Sequence, residues 1–439
     1  MTREVVCHGV REPGLGCIEV KRYTNTDTLQ IEWDRIWRTQ WLLAGLVSDV
    51  ASPGDFFVFE IGSEQILVTR TDEDELKAFY NVCQHRGNRL VNECSGHAQD
   101  FRCSYHAWTY DLNGQLKGVP GLANFPEDPR PERPLKPVAL DVWNGLIFIH
   151  LGNQPQTLTS FLGPVAEHLA GYQFADMTLV EDQTADIACN WKTVVDNFSE
   201  LYHVDFLHPQ HQRMVDCQND LVRLFEQGHT GVEVPGATVN PKFPIPSEPT
   251  DIQTMQLKQV GLDPADFIGR VTDIREAIQL RKREAGSSLG FDYSRLENHQ
   301  LSDVWQYNLF PNAILSFTPE HLWILRPRPH VSDPNRCWFD KLSLLMFPET
   351  QGDMQHIGGQ TRHGTMQRPE TRPSKDSFAA AAVKRGDKSM TDTIDQDISL
   401  LEEVQAGMNS EGLTDMVLGH DEMRMQHFHN QWDALTEQP

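Results

Sequence analysis

Cys83-Gln84-His85-Arg86-Gly87 and, after seventeen residues that follow His85, Cys103-Ser104-Tyr105-His106 decide how this chain is read. Each cluster offers one thiolate and one imidazole. Two Cys and two His in this arrangement suit a [2Fe–2S] centre in which two His replace two Cys on one iron. Thiolates stabilise ferric iron and lower the potential; neutral imidazoles carry less charge and raise it, and their edges give electrons a route. Structural zinc also takes Cys and His, but its sites open on a Cys-x2-Cys or longer Cys pair, and here the first pair is Cys-x-His. Coincidence among eight cysteines and eighteen histidines is the other alternative, and the agreement of spacing with flanking residues weighs against it.

Those flanking residues carry a family likeness. Asn81-Val82-Cys83-Gln84-His85-Arg86-Gly87-Asn88-Arg89-Leu90 and Cys103-Ser104-Tyr105-His106-Ala107-Trp108 resemble the N-terminal domain of ring-hydroxylating Rieske non-haem iron oxygenase α subunits. The resemblance implies that Cys83, His85, Cys103 and His106 hold a Rieske [2Fe–2S] cluster. Ala107 departs from it, since Gly usually follows the second His. An ordinary φ is expected there, with no loss of the cluster.

The chain's 439 residues suffice for two domains. A net charge of −24, with no Lys/Arg-rich run, argues against nucleic-acid binding. An acidic surface suits a basic patch on a redox partner, or simply solubility. Cys7, Cys17, Cys94, Cys189, Cys217 and Cys337 form no disulfide framework, which points to a reducing cytoplasm. Met1-Thr2-Arg3-Glu4 begins no apolar signal core, and runs such as Leu146-Ile147-Phe148-Ile149 are too short for a membrane span.

In chain order, residues 1–40 form a lead-in expected to pack on the catalytic domain, with a helix over about Thr26–Thr39. From Trp41, short apolar runs with polar turns predict antiparallel β structure: Trp41–Ala44, Phe56–Phe59, Ile66–Thr69 and Leu76–Val82. Asp111-Leu112-Asn113-Gly114 signals a hairpin, and the proline-rich stretch 118–137 a loop. Strands near Leu140 and over 145–151 close this domain, 41–155, and both metal-ligand pairs fall on its connecting loops. A larger domain, 156–439, follows the composition shift at Gly152-Asn153-Gln154-Pro155; no internal repeats occur.

Its informative stretch runs from Asn190 to Pro209. Val194, Val195, Phe198, Leu201 and Tyr202 recur as one face of an amphipathic helix, with Asp196, Glu200 and His203 on a neighbouring face. His208 lies five residues past His203 and before Pro209, so the helix must loosen to bring both imidazoles to one point. Such a pair alone is often surface polarity. A mononuclear iron that activates O2 wants two His and one carboxylate. Asp397 falls within the stripe Ile394, Ile398, Leu401, Val404 and Met408, where an ionised carboxylate needs a partner or a metal. A salt bridge or helix cap is the alternative role, and Asp392 or Asp395 could cap instead.

The family pattern Asp-Asn-x-x-(Asp/Glu)-x-x-His-x4-His matches Asp196 to His208, and the acidic residue of its late helix matches Asp397. The resemblance therefore implies iron at His203, His208 and Asp397. Glu200 stands where the family has an acidic residue bridging to a cluster His across a subunit interface, often Asp; Asn197 matches a polar residue near the iron. The resemblance is weakest over about 210–300, where substrate choice is expected. There, 232–249 is expected to be a loop, and Asp263-Pro264 to start a helix with Phe267, Val271, Ile274 and Ile278 buried. Arg281-Lys282-Arg283 is expected to be a solvated helix end. Strands over 313–317, 322–325 and 337–347 and a hairpin at Thr318-Pro319-Glu320-His321 complete an antiparallel sheet with helices. His420, His427 and His429 are expected on the surface.

The expected architecture is α+β: an antiparallel-β Rieske domain plus a larger, helix-grip-like catalytic domain. The resemblance implies the terminal oxygenase of a Rieske system, hydroxylating an aromatic or other apolar ring substrate with O2. Electrons from NAD(P)H would arrive through a separate reductase, with or without a ferredoxin, since no nucleotide-binding Gly-rich motif occurs. A head-to-tail homotrimer, or an α3β3 assembly, is also implied. N- or O-demethylation is the alternative with the same metals, and an electron-transfer protein with structural zinc the alternative of another class.

Overall fold

The computed structural model describes residues 4–211, 216–217, 219–347, 354–355, 365–366 and 368–437; Met1, Thr2 and Arg3, read above for a signal segment, fall outside them. The chain divides into two units, Glu32–Phe161 and the pair Met1–Ile31 with Leu162–Pro439. The first 31 residues thus belong with the larger unit, while the next nine of the expected lead-in belong with the smaller.

The smaller unit is antiparallel β. Seven strands run in the order Leu42–Leu46, Leu146–His150, Pro137–Trp143, Leu76–Tyr80, Glu64–Arg70, Asp55–Ile61 and Ser95–His97, and three more form Leu116–Gly118, Thr109–Tyr110 and Phe101–Arg102. Inward residues such as Phe56, Leu67 and Phe79 share a core with Cys83, Cys103, Trp108 and Tyr110. The cysteines thus stand on packed ground. The expected Asp111–Gly114 turn joins two of the short strands, with Gly114 N–H donating to Asp111 O (2.9 Å). The expected helix begins as Thr26–Glu32 and continues as a wider π turn, Trp33–Trp37.

The larger unit is built on nine strands in the order Glu4–His8, Leu221–Phe225, Thr230–Val234, Val304–Leu309, Ala313–Thr318, His321–Pro329, Cys337–Leu345, Thr178–Ile187 and Asp376–Ala379. Pairing is antiparallel except at the two ends, where Glu4–His8 and Asp376–Ala379 join in parallel. The expected hairpin is present, with Thr318 opposite His321. Helices Trp191–Asn197, Asp392–Met408 and Met423–Thr436 pack on the sheet or on one another.

Four expectations change. Val232–Val234 is strand, not loop, because all five residues of Thr230–Val234 are buried between two sheet neighbours. The helix expected from Asp263 is interrupted: Pro264–Phe267 and Val271–Asp273 are separate 3-10 turns, and Ile274–Ala285 is the helix proper. Gly269, with φ +74°, breaks the run between the two turns. His427 and His429 are buried, because their helix packs against the strands Leu221–Phe225 and Thr230–Val234. His427 Nε2 meets Phe225 O at 2.8 Å, whereas His420 is exposed as expected. Lys282 is buried too, leaving a partly solvated trio rather than a free helix end.

No helix among the described residues is long and apolar enough to cross a membrane.

Candidate metal centres and the cavity beside one of them

The two Cys/His loops of the smaller unit share a single hydrogen-bond plan. Gly87 N–H donates to Cys83 O (3.0 Å) and Ala107 N–H to Cys103 O (2.9 Å); Cys83 N–H reaches Asn88 O (2.8 Å) and Cys103 N–H reaches Trp108 O (2.9 Å). Each loop closes through a left-handed residue, Gly87 at φ +77° and Ala107 at φ +56°. The ordinary φ expected for Ala107 is therefore overturned. The loop plan needs that turn, and Ala107 takes it against its Cβ.

This plan brings the ligands together. The rings of His85 and His106 lie 4.5 Å apart, and Trp108 stacks on His85 at 4.6 Å. His85 Nδ1 is buried without a hydrogen-bond partner, as a nitrogen reserved for a metal would be. Burial, with the charges of His106 and Arg86, holds the His85 pKa low, which favours the neutral imidazole that a metal requires. Burial works against the Cys103 thiolate, but the N–H groups of Tyr105 and His106, the Cys83 thiol and the Asn88 amide outweigh it and lower its pKa. Tyr110 Oη lies 3.6 Å from Cys83 Sγ, and Asn88 Nδ2 lies 3.7 Å from Cys103 Sγ. Hydrogen bonds to cluster sulfurs are a lever that tunes redox potential. The donor set fits a Rieske cluster.

The second constellation lies in the larger unit. The helix Trp191–Asn197, capped by Asn190, ends well before His203, earlier than its apolar stripe suggests. A short helix, Val204–Leu207, then puts His203 at its start and His208 at its end. Asp397 arrives from the Asp392–Met408 helix, whose cap is Thr391 and neither Asp392 nor Asp395. One ligand atom from each of His203, His208 and Asp397 falls within 4.8 Å of the others.

Partners on the far side of each ring set its orientation. His208 Nδ1 donates to Gln396 Oε1 (2.7 Å), the same oxygen that accepts from Gln210 Nε2 (2.9 Å). His203 Nδ1 is held by Glu200, whose other oxygen accepts the His203 backbone N–H (3.1 Å). Both Nε2 atoms are thereby turned toward Asp397 Oδ1, at 3.6 Å from His203 and 3.2 Å from His208. Asp397 is almost fully buried, and Oδ1 makes no hydrogen bond. An imidazole lone pair facing a carboxylate oxygen repels it unless a proton or a metal cation lies between them, and the three groups converge as a metal's ligands would. The residues fit a divalent metal, and two His with one carboxylate are the ligand set of non-haem Fe(II).

Asn197 and Glu200 line a cavity of about 570 Å³ that the three ligands also border. Its walls are mainly apolar, with Phe198, Val234, Phe291 and Phe317 among them. Sequence reasoning missed His211 here. Its Nε2 pairs with Thr393 Oγ1 at 2.8 Å, and burial and the neighbouring His208 push its pKa down to about 4. It also missed Gln396. Asp196, by contrast, turns away to a buried cluster, accepting from Tyr23 Oη (2.5 Å) and pairing with His429 Nε2 (3.0 Å).

A Cys2His2 cradle in one unit and a His2Asp triad beside a cavity in the other define a Rieske-type protein with a second, mononuclear metal site. The family model "Ring hydroxylating alpha subunit (catalytic domain)" matches residues 174–438, and "Rieske [2Fe-2S] domain" matches 40–135. The chain belongs to the ring-hydroxylating α-subunit family of Rieske oxygenases. It is 31% identical over 188 residues to the glycine betaine monooxygenase oxygenase subunit of Chromohalobacter salexigens, covering 43% of this chain and 42% of the relative. It is 33% identical over 195 residues to the benzene 1,2-dioxygenase subunit alpha of Pseudomonas putida, covering 43% of each. The chain thus spans under half the length of these curated relatives. Two solved structures share the fold: a quaternary ammonium Rieske monooxygenase (TM-score 0.69, 17% identity, 97% of this chain and 96% of that one) and naphthalene 1,2-dioxygenase (0.66, 18%, 98% and 94%).

Proposed function

We propose that this chain is the terminal oxygenase component of a Rieske system, hydroxylating an aromatic or other apolar ring substrate. Electrons from NAD(P)H would reach it through a separate reductase, with or without a ferredoxin. One observation carries the reading: the His203/His208/Asp397 triad borders a mainly apolar cavity large enough for an organic substrate. Cys83, His85, Cys103 and His106 would hold a cluster that supplies single electrons, and His203, His208 and Asp397 would hold an iron that supplies O2 activation.

The chain's own residues have definable tasks. Glu200 and Gln396 hold protons at the outer nitrogens of His203 and His208, keeping both inner lone pairs available. Apolar walls exclude water and seat a ring. Asn197, whose Nδ2 is buried without a partner, offers a donor at the cavity wall. Glu200 is proposed to bridge to a cluster His of a neighbouring protomer in a head-to-tail trimer, with or without a β subunit. The exposed Tyr202 (56%) and Phe206 (74%) beside it favour a covered face.

The test is one exposure of the chemically reduced holoprotein to ¹⁸O2 with a panel of ring compounds. Labelled product is expected, and the number of labelled oxygens separates dioxygenation from monooxygenation. A cluster that reoxidises with no labelled product from any compound, in protein lacking iron at the second site, would overturn the reading in favour of electron transfer. A second reading, N- or O-demethylation, is favoured by the likeness to the glycine betaine enzyme. Formaldehyde release from N-methylated members of the panel would establish it.

A further inference from the structure

The wall of this cavity carries an ion pair that the metal site does not use. Lys282 is buried on the Ile274–Ala285 helix, and Glu320 is buried in the turn of the Ala313–Pro329 hairpin. Lys282 Nζ donates to Glu320 Oε1 (2.6 Å) and to Leu301 O (2.8 Å), and Tyr293 Oη donates to the same Glu320 oxygen (2.6 Å). Lys282, Tyr293 and Glu320 all line the cavity, and no hydrogen bond or ion pair among the described residues joins them to the metal triad.

The accounting of donors and acceptors is uneven. An ammonium has three N–H donors, and Lys282 uses two. Glu320 Oε2 receives only a long 3.4 Å contact from Thr318 Oγ1. Lys282 Nζ also lies 5.5 Å over the Tyr293 ring, so the pair sets an ammonium and an under-used carboxylate oxygen, Glu320 Oε2, at the cavity wall. Two other lining atoms, Trp323 Nε1 and Gln256 Oε1, are buried with no hydrogen-bond partner. A cavity meant only for hydrocarbon would have no use for such groups, because buried polar atoms left unmet are costly. The pair carries no net charge to neutralise a carboxylate or a quaternary ammonium.

We propose that Lys282 and Glu320 anchor a neutral hydrogen-bonding group, a hydroxyl or ketone, on a multi-ring apolar substrate. The volume of about 570 Å³ favours several rings over one, since cavities of roughly 300–1,000 Å³ take drug-sized ligands. The inference rests on the oxygenase reading only in treating this cavity as the substrate site.

The test is calorimetric binding to the holoprotein of five compounds on one skeleton: fluorene, 9-fluorenol, 9-fluorenone, fluorene-9-carboxylate and 9-(trimethylammonio)fluorene. The alcohol and ketone are expected to bind about tenfold tighter than fluorene, or about 1.4 kcal/mol, and the two ions no tighter than fluorene. Lys282→Met is expected to abolish the ketone's advantage and Glu320→Leu to weaken the alcohol's alone, each leaving fluorene binding intact. Either single change leaves a charge unpaired, so the double variant, which removes both charges, serves if the singles do not fold. Equal affinity for fluorene and the alcohol, tighter binding of either ion, or a preference that survives the double variant would overturn the anchor. The ¹⁸O2 exposure on the same samples is scored separately. Selective binding without labelled product, in protein lacking iron at the second site, would sink the oxygenase and spare the anchor; labelled fluorene with no selectivity would do the reverse.

Discussion

At the scale of single residues, the two candidate metal centres obey one rule: an atom placed to face a metal is left unmet, and its neighbour is tied down. His85 Nδ1 and Asp397 Oδ1 are the unmet atoms, and Glu200 and Gln396 are among the ties. Asp397→Asn keeps the size but removes the charge between two imidazoles. It is expected to lower iron at the second site by at least about tenfold, in line with the sensitivity of such sites, while the cluster's visible absorbance stays unchanged; metal analysis beside a spectrum checks both. Ala107 gives a prediction of the opposite sign. A left-handed Ala costs roughly 1–2 kcal/mol, partly offset in the Gly variant by chain entropy. Ala107→Gly is expected to stabilise the smaller unit by about 0.5–1 kcal/mol, read as a higher denaturant midpoint with the cluster retained. The candidate ligand residues, which the structure brings together, were legible because metal chemistry restricts residue type and spacing. The φ at Ala107 was not, since it follows from a loop plan shared with Gly87 and not from local preference.

Among elements, the short strands and their turns followed from apolar alternation, and the Pro319-Glu320 hairpin lies where its residues put it. Polar residues inside the larger unit defeated the same reasoning. Lys282, His427 and His429 look like surface residues in sequence, and their partners Glu320, Phe225 and Asp196 lie far along the chain. No local pattern announces such pairings. His168, at the end of the helix Pro164–His168, is half-buried and packs edge-on against His8. Burial, the Arg223 cation and His8 push its pKa down to about 4. An unfolded His titrates near 6.5, so between about pH 6.5 and 4 the unfolded chain binds the extra proton and stability falls as pH drops. Above that window the contribution is intact. His168→Gln is expected to flatten this part of the curve, measured as the difference in melting temperature between variant and parent from pH 7 to 4.5.

For the whole molecule, the proposed assembly gives two variants with different signatures. Glu200→Ala is expected to keep both metals and lose turnover; normal turnover would refute the bridge. Phe206→Asp puts a charge on a 74% exposed aromatic beside that bridge. It is expected to shift the protein toward monomer in light scattering and to slow turnover by about tenfold or more, the equivalent of roughly 1.4 kcal/mol, with iron content unchanged.

The larger unit is made of two lengths of chain with the whole of the other unit written between them. Its first length ends up against its last: Cys17–Glu19 pairs with Asp415–Val417, and Tyr23 Oη meets His429 Nε2 at 2.8 Å. On a ribosome, Cys17–Glu19 therefore waits for Asp415–Val417, which is made long after it. Meanwhile the Cys/His loops between them can fold and load as a unit, since domains form as their own sequence emerges. The order of synthesis thus allows the Cys/His loops to fold before Asp397 joins His203 and His208, and the pairing of Cys17–Glu19 with Asp415–Val417 comes later still.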